Sequence, residues 1–290
     1  MAALAVSNFI LSGCQMRIID THLHLIYLDK FSYPWLEGVP ALNRQWDVES
    51  YFAEAAPLGI DSALHMEVDV LERQAVDETA FVLDNLHPRI EGAIAQAHPE
   101  HFDFPKHLDQ LLALGRVRGI RRLLQSDPDE LSESDFFRAN VRRLAPLRLT
   151  FDLCVQSRQL PVARALAAAC PDVQFVLDHC GNPLIDSGDI AQWRIDLASL
   201  AELPNVAGKI SGIVNHAPPD WTPETLRPAI EHMIRCFGWD RVVWGSDRPV
   251  CVPNSGLTRW VEATRAIVAG ASQSEQESLF FRNAERIYRA

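Results

Sequence analysis

The chain has 290 residues, 48% hydrophobic and 22% charged, a composition that excludes a disordered polymer and suits one large globular domain. Its formal net charge of -11 at pH 7 excludes the positive field needed for non-specific binding to nucleic acid or to an anionic membrane surface. No apolar stretch approaches the roughly 18 residues of a membrane span, and Cys14, Cys154, Cys170, Cys180, Cys236 and Cys251 show no Cys-x-x-Cys spacing, so reduced thiols in a cytoplasmic protein are expected.

Residues 1–15 contain Leu11-Ser12-Gly13-Cys14, which is similar to a lipoprotein cleavage site. They lack the basic start and unbroken apolar run of a secretory signal, and they read as an N-terminal extension ahead of a domain spanning 16–290. Eight short β-rich runs follow, at 17–20, 60–67, 90–96, 117–124, 148–155, 173–178, 205–210 and 241–245. Helical periodicity fills the spaces between them. Over 71–86, Ala75, Val76, Thr79, Ala80, Val82 and Leu83 form an apolar stripe beside Glu72, Asp77 and Glu78, while 161–169 and 223–237 each carry Pro in the first turn. Strand and helix in strict alternation imply parallel strands with right-handed crossovers. Eight such units predict an α/β fold closed as a single-domain (β/α)₈ TIM barrel. An open doubly wound sheet would place a Gly-rich phosphate turn after the first strand, where this chain has Thr21-His22-Leu23-His24.

In a barrel, the residues at the C-terminal ends of the strands and in the following loops build the active site. The first strand ends in His22 and His24, whose i, i+2 spacing sends both imidazoles to one face, as a metal requires. The sixth ends Asp178-His179-Cys180-Gly181-Asn182, with His179 at the mouth and Gly181 permitting a tight turn. The eighth ends Gly245-Ser246-Asp247-Arg248-Pro249. A lone strand-end Asp commonly caps a turn, and an isolated His-x-His pair is commonly a hydrogen-bonded loop pair. Four such groups at the ends of strands one, six and eight instead predict a functional cluster on the axis. The long first connection, 21–46, carries Tyr27, Phe31, Tyr33, Trp35 and Trp46, which would wall a pocket or fold on themselves. Arg121 is a candidate for gripping a carboxylate or hydroxyl, with Arg122 pointing to the other face. Glu67 is a candidate ligand or hydroxyl acceptor, Trp35 a candidate stacking surface, and His65 a packed interior histidine. Lys209, His216, Trp221 and Arg248 are expected at the rim. Cys180 as a nucleophile is disfavoured, because adjacent residues of a strand point apart.

These segments, together with Tyr33-Pro34-Trp35-Leu36, Asp77-Glu78-Thr79-Ala80-Phe81, Gly119-Ile120-Arg121, Lys209-Ile210-Ser211-Gly212 and Asn283-Ala284-Glu285-Arg286-Ile287-Tyr288, resemble the amidohydrolase superfamily. The likeness is to its amidohydrolase-2 branch, which includes sugar-acid lactonases of the L-fucono-1,5-lactonase type. Relatives often have Trp in place of Arg248, and some have Lys in place of Asn182, which leaves the catalytic set intact and the substrate open. The resemblance implies a hydrolase that opens the ring ester of an aldonolactone such as L-fuconolactone or L-rhamnonolactone. In it Asp247 activates the water and returns the proton, while His22, His24 and His179 polarise the carbonyl directly or hold one divalent metal, zinc by donor type, with Asp247. The partner expected is a small molecule, on a monomer or homodimer. The alternatives are a metal-dependent decarboxylase of the same branch, disfavoured because it would need a further histidine at the strand after His179, where Val206-Ala207-Gly208-Lys209-Ile210-Ser211 has none, an aromatic-pathway lactonase, and a non-catalytic binding barrel.

Overall fold

The computed structural model describes residues 16–84, 87–188 and 190–289; the extension at 1–15 and the end of the helix expected over 71–86 lie outside them. The strands are β1 (Ile18–Leu23), β2 (Ile60–Met66), β3 (Ile90–Gln96), β4 (Val117–Leu123), β5 (Thr150–Cys154), β6 (Gln174–Leu177), β7 (Val206–Ile210) and β8 (Val242–Trp244). They pair in parallel in chain order. The last seam is closed just past β8, where His24 N donates to the Arg248 carbonyl and Asp247 N to the His22 carbonyl, each at 2.9 Å. This is the expected barrel. Its strands read as continuous apolar runs because both faces are covered, and β1, β5 and β7 are buried at every residue.

The outer layer contains α1 (Val48–Ala55), α2 (Ala75–Asp84), α3 (Phe104–Ala113), α4 (Asp135–Arg142), α5 (Leu160–Ala169), α6 (Ala191–Ala201), α7 (Pro223–Phe237) and α8 (Leu257–Val268). Local chemistry sets their starts. The Asp47 carboxylate accepts from Ser50 N at 2.8 Å to cap α1, and Pro223 opens α7 in the turn where its missing N–H removes no helical bond. No helix among the described residues is long and apolar enough to cross a membrane.

Inside the barrel a smaller apolar plug forms from Leu64, Met66, Ile94, Val176, Ala207 and Val243, completed by Ile287 and Tyr288 of the C-terminal segment. Arg17, just before β1, pairs with Glu285 of the same segment, so the N-terminal end of the barrel is stoppered. Above the plug lies Lys209. It was expected at the rim, but β7 points it along the axis with no solvent exposure, its Nζ 2.6 Å from Asp152 and 3.0 Å from Asp178. The Tyr288 hydroxyl donates to the same Asp152 at 2.7 Å. Two other rim expectations are also corrected. Trp221 is buried, donating to the Asn254 carbonyl at 3.0 Å under Arg259. Arg248 is buried against the faces of Trp46 and Tyr51 and paired to Glu54 at 3.1 Å.

Removing one partner of a buried ion network leaves the others unpaired, which destabilises by about 3–5 kcal/mol. Lys209→Met is therefore expected to lower the unfolding free energy by that amount in urea titrations, and Asp152→Asn added to it should recover part of the loss. A single variant within about 1 kcal/mol of the parent would show that the network is dispensable.

Candidate active site

His22 lies within β1, which runs three residues past the expected end at 20, and His24 lies just beyond it; their rings meet edge-on with centroids 4.9 Å apart. After Leu177 the chain leaves β6 through consecutive left-handed residues, φ being 54° at His179, 54° at Cys180, 70° at Gly181 and 51° at Asn182. That turn carries the His179 ring to 4.6 Å from His22, centroid to centroid. Asp247 is also left-handed, with φ 57°. Each such non-glycine residue stores about 1–3 kcal/mol, tolerated where the surroundings fix it. Cys180 is thus not a strand residue, and its thiol is buried in the apolar core, where burial pushes its pKa up to about 12. Two glycines make room for the imidazoles: a Cβ on Gly245 would stand 2.6 Å from the His22 Cβ, and one on Gly212 (φ 56°) would stand 2.2 Å from the His179 Nδ1.

The hydrogen bonds assign the ring nitrogens. His24 Nδ1 is 2.9 Å from the Glu67 carbonyl and 3.1 Å from that of Met66; carbonyls only accept, so Nδ1 carries the proton. His24 Nε2 is then a lone pair facing Asp247 Oδ1 at 3.4 Å, and His22 Nε2 faces the same oxygen at 3.6 Å. Two acceptors turned toward one another need a cation between them. His22, His24 and Asp247 bring one ligand atom each within 4.8 Å of the others, so the donor set fits a single divalent metal; His179 falls in an overlapping group with His22 and Asp178. Asn215 Nδ2 donates to the other Asp247 oxygen at 2.8 Å, and Ser211 Oγ lies 2.9 Å from His179 Nδ1. Burial holds His22 well below the usual imidazole pKa and lowers His179, giving the neutral rings that metals and polarised carbonyls accept. For Asp247, burial favours the neutral acid, but any proton carried by His179, His24 or His22 outweighs it and holds the carboxyl below the usual carboxylate range.

Of these groups His24, His179, Asp247 and Asn215 border a cavity of about 410 Å³, whose lining does not include the fully buried His22. His24, His179, Asp247, Arg121 and Trp35 line it, with His216, Asn182, Asn215, Gln125, Ser126 and Asp69 among the other walls. Arg121 points inward and Arg122 outward to Glu100 at 2.8 Å, as the strand alternation requires. The Arg121 guanidinium is already engaged, with Nε 2.5 Å from Glu67 Oε1, one terminal nitrogen 3.0 Å from the Glu67 carbonyl and the other 3.3 Å from His22 Nε2. Glu67 therefore stands behind Arg121, off the cavity wall, its second oxygen accepting from Asp69 N at 2.7 Å. Trp35 is tied by its indole to the Val68 carbonyl at 2.9 Å, within a cluster of Ile26, Tyr33, Leu36, Leu42 and Trp46, so the first loop both folds on itself and walls the pocket. His65 is fully buried, as expected of a packed histidine. Sequence reasoning missed Asn215, Ser211 and the interior course of Lys209. Asn215 sits past β7 in a stretch with no motif, and nothing in the sequence pointed to it.

A family model described as amidohydrolase matches residues 19–290. An uncharacterized protein of Sinorhizobium fredii, y4mH, is 31% identical over 94% of this chain and 99% of its own length. The L-fucono-1,5-lactonase of Burkholderia multivorans is 30% identical over 93% of this chain and 95% of its own. Among solved structures, an amidohydrolase from Burkholderia multivorans with bound zinc superposes with a TM-score of 0.85 at 25% identity, covering 94% of this chain and 99% of that one.

Gly212→Ala tests how far the site depends on its packing. The added methyl group must displace the His179 ring, and misplacement by about 1 Å can lower turnover by roughly 100-fold. A drop in kcat of at least about tenfold is expected with an unchanged circular dichroism spectrum; full activity would mean that His179 is not held in place from β7.

Proposed function

The chain belongs to the amidohydrolase family, and from that premise we propose that it hydrolyses the ring ester of a neutral, hydroxyl-rich sugar-acid lactone, an aldonolactone such as L-fuconolactone or L-rhamnonolactone. One observation carries the choice of substrate. Among the described residues, the cavity's single guanidinium, Arg121, is committed to Glu67 and His22, while the outer walls offer Gln125 and Ser126, beside Asn182 and Asn215, whose amide nitrogens already donate to the Val155 carbonyl and to Asp247. Amides and hydroxyls recognise sugar hydroxyls; a dicarboxylate of the aromatic-pathway type would ask for an uncommitted cation, and it would meet Asp69 and Asp247 instead. Trp35 supplies an apolar face for the sugar ring.

The residues then divide the reaction. Asp247 is ionised and anchored on one oxygen by Asn215, so it can orient a water, take its proton as the water attacks the lactone carbon, and return it to the ring oxygen as the ester opens. His179 borders the same space and can meet the negative charge that grows on the carbonyl oxygen. The residues placed to hold a divalent ion, zinc by their nitrogen and oxygen donors, are His22, His24 and Asp247, with His179 beside them; bound there, the ion would supply Lewis acidity and lower the pKa of water. Asp178 and Lys209 keep His22 turned toward the axis. The product is an anion facing two carboxylates, which favours its release.

A panel of aldonolactones followed by pH indicator, with and without chelator, tests this reading. We expect turnover of at least one lactone, and loss of roughly 10²–10⁴ in kcat for Asp247→Asn, the usual worth of a proton-transfer group. Chelator-resistant activity would assign the histidines as direct electrophiles. Silence on neutral lactones with turnover of a dicarboxylate lactone would overturn the proposal.

A further inference from the structure

A second cluster of ligating side chains stands at the mouth of the barrel, outside the groups described above. Glu72 lies in the short helical turn after β2, and His98 and His101 in the connection that follows β3. One ligand atom of each lies within 4.8 Å of the others. His101 Nδ1 is 2.8 Å from Glu72 Oε1, and the two imidazoles are nearly parallel, with centroids 5.0 Å apart. All three border a cavity of about 630 Å³ between α2 and α3.

The setting of His98 is that of a metal ligand more than of a surface histidine. Its Nδ1 is 3.3 Å from Glu100 Oε1, and that same oxygen is fixed by Arg122 Nε at 2.8 Å. A carboxylate accepting from Nδ1–H leaves Nε2 as a lone pair and locks the ring, the arrangement that orients imidazoles toward metals. The Gln96 amide lies 3.4 Å from this Nε2, close enough to donate to the lone pair, and 3.5 Å from Asp69, which lines the catalytic cavity.

We propose that Glu72, His98 and His101 form a second divalent-metal site that ties the loop after β2 to the loop after β3 beside the catalytic pocket. Two imidazoles and a carboxylate select a borderline ion such as zinc, cobalt or nickel over magnesium or calcium. Three protein ligands on a partly open surface leave positions for water. Occupancy would be relayed to the pocket wall through Gln96 and Asp69. The site does not depend on the lactonase reading, since none of its residues touches the groups assigned to that reaction.

The test is equilibrium binding of cobalt and zinc to chelator-treated full-length protein, with bound metal counted and the cobalt absorption spectrum recorded. His98→Ala/His101→Ala should remove one equivalent and its spectral component while leaving any metal held by His22, His24 and Asp247. His22→Asn/His24→Asn should do the converse. Glu100→Gln, which removes only the orienting acceptor, should weaken the second equivalent by roughly 10- to 100-fold. Binding that is the same in the His98→Ala/His101→Ala protein as in the parent, in number and affinity, would overturn the proposal. So would metal lost entirely in the His22→Asn/His24→Asn protein with circular dichroism unchanged.

Discussion

A buried ammonium organises this barrel. Lys209, without solvent contact, is stable as a cation only because Asp152 and Asp178 lie within 3.0 Å of it, and those carboxylates are held where they are by the same attraction. Burial alone would favour neutral Asp178, but Lys209 and then His22 outweigh it and hold the acid well below the usual carboxylate range. The network has two ends. Toward the plug, Asp152 accepts from the Tyr288 hydroxyl, so the C-terminal residues become part of the barrel interior. Toward the pocket, Asp178 Oδ1 faces His22 Nδ1 at 3.4 Å. The orientation of the first histidine is thus set from beneath, by charges that no substrate touches.

The parts of this molecule that were legible in the sequence are those governed by burial and spacing. All eight strands were readable because a parallel strand covered on both faces must be apolar almost throughout, and their ends fell within about three residues of the readings, the usual uncertainty of such boundaries. His22, His24, His179 and Asp247 stood out as polar groups where apolar runs stop. Backbone handedness was far less visible. Gly181 announced a turn, but three neighbouring non-glycine residues also adopt left-handed conformations, and a side chain gives almost no sign that tertiary packing will force that choice. Lys209 was misplaced for a related reason: a single lysine in a short apolar run looks like a strand edge until its two acidic partners, 57 residues before it for Asp152 and 31 for Asp178, are brought onto the axis.

Charge on the axis also explains why the histidines are arranged as they are. Among the ion-paired groups there, Glu67, Asp152, Asp178 and Asp247 stand against Arg121 and Lys209, an excess of two carboxylates over two cations. With neutral imidazoles, one of the two surplus charges sits on Asp247, which among the described residues has no lysine or arginine partner and faces the Nε2 atoms of His22 and His24 instead. A position that gathers three acceptors is costly to keep dry and unpaired. It becomes favourable when a proton or a divalent cation stands between them, and either one polarises whatever carbonyl enters from the cavity. The electrostatics that make the site uncomfortable in isolation are therefore the same electrostatics that fit it to hydrolysis.

The strain is distributed in a matching way. His179 and Asp247, both on left-handed backbone, leave β6 and β8 on opposite flanks of β7, which carries Lys209 below and runs on above into the turn with Gly212 and Asn215. Gly212 leaves space for the His179 ring, while Asn215 fixes one oxygen of Asp247. Strained stations survive only where their surroundings are rigid, and rigidity here comes from the opposite end of the barrel, where the apolar plug and the Lys209 network make the strands difficult to shear. The stability of the closed end and the geometry of the open end are in this sense one property of β7.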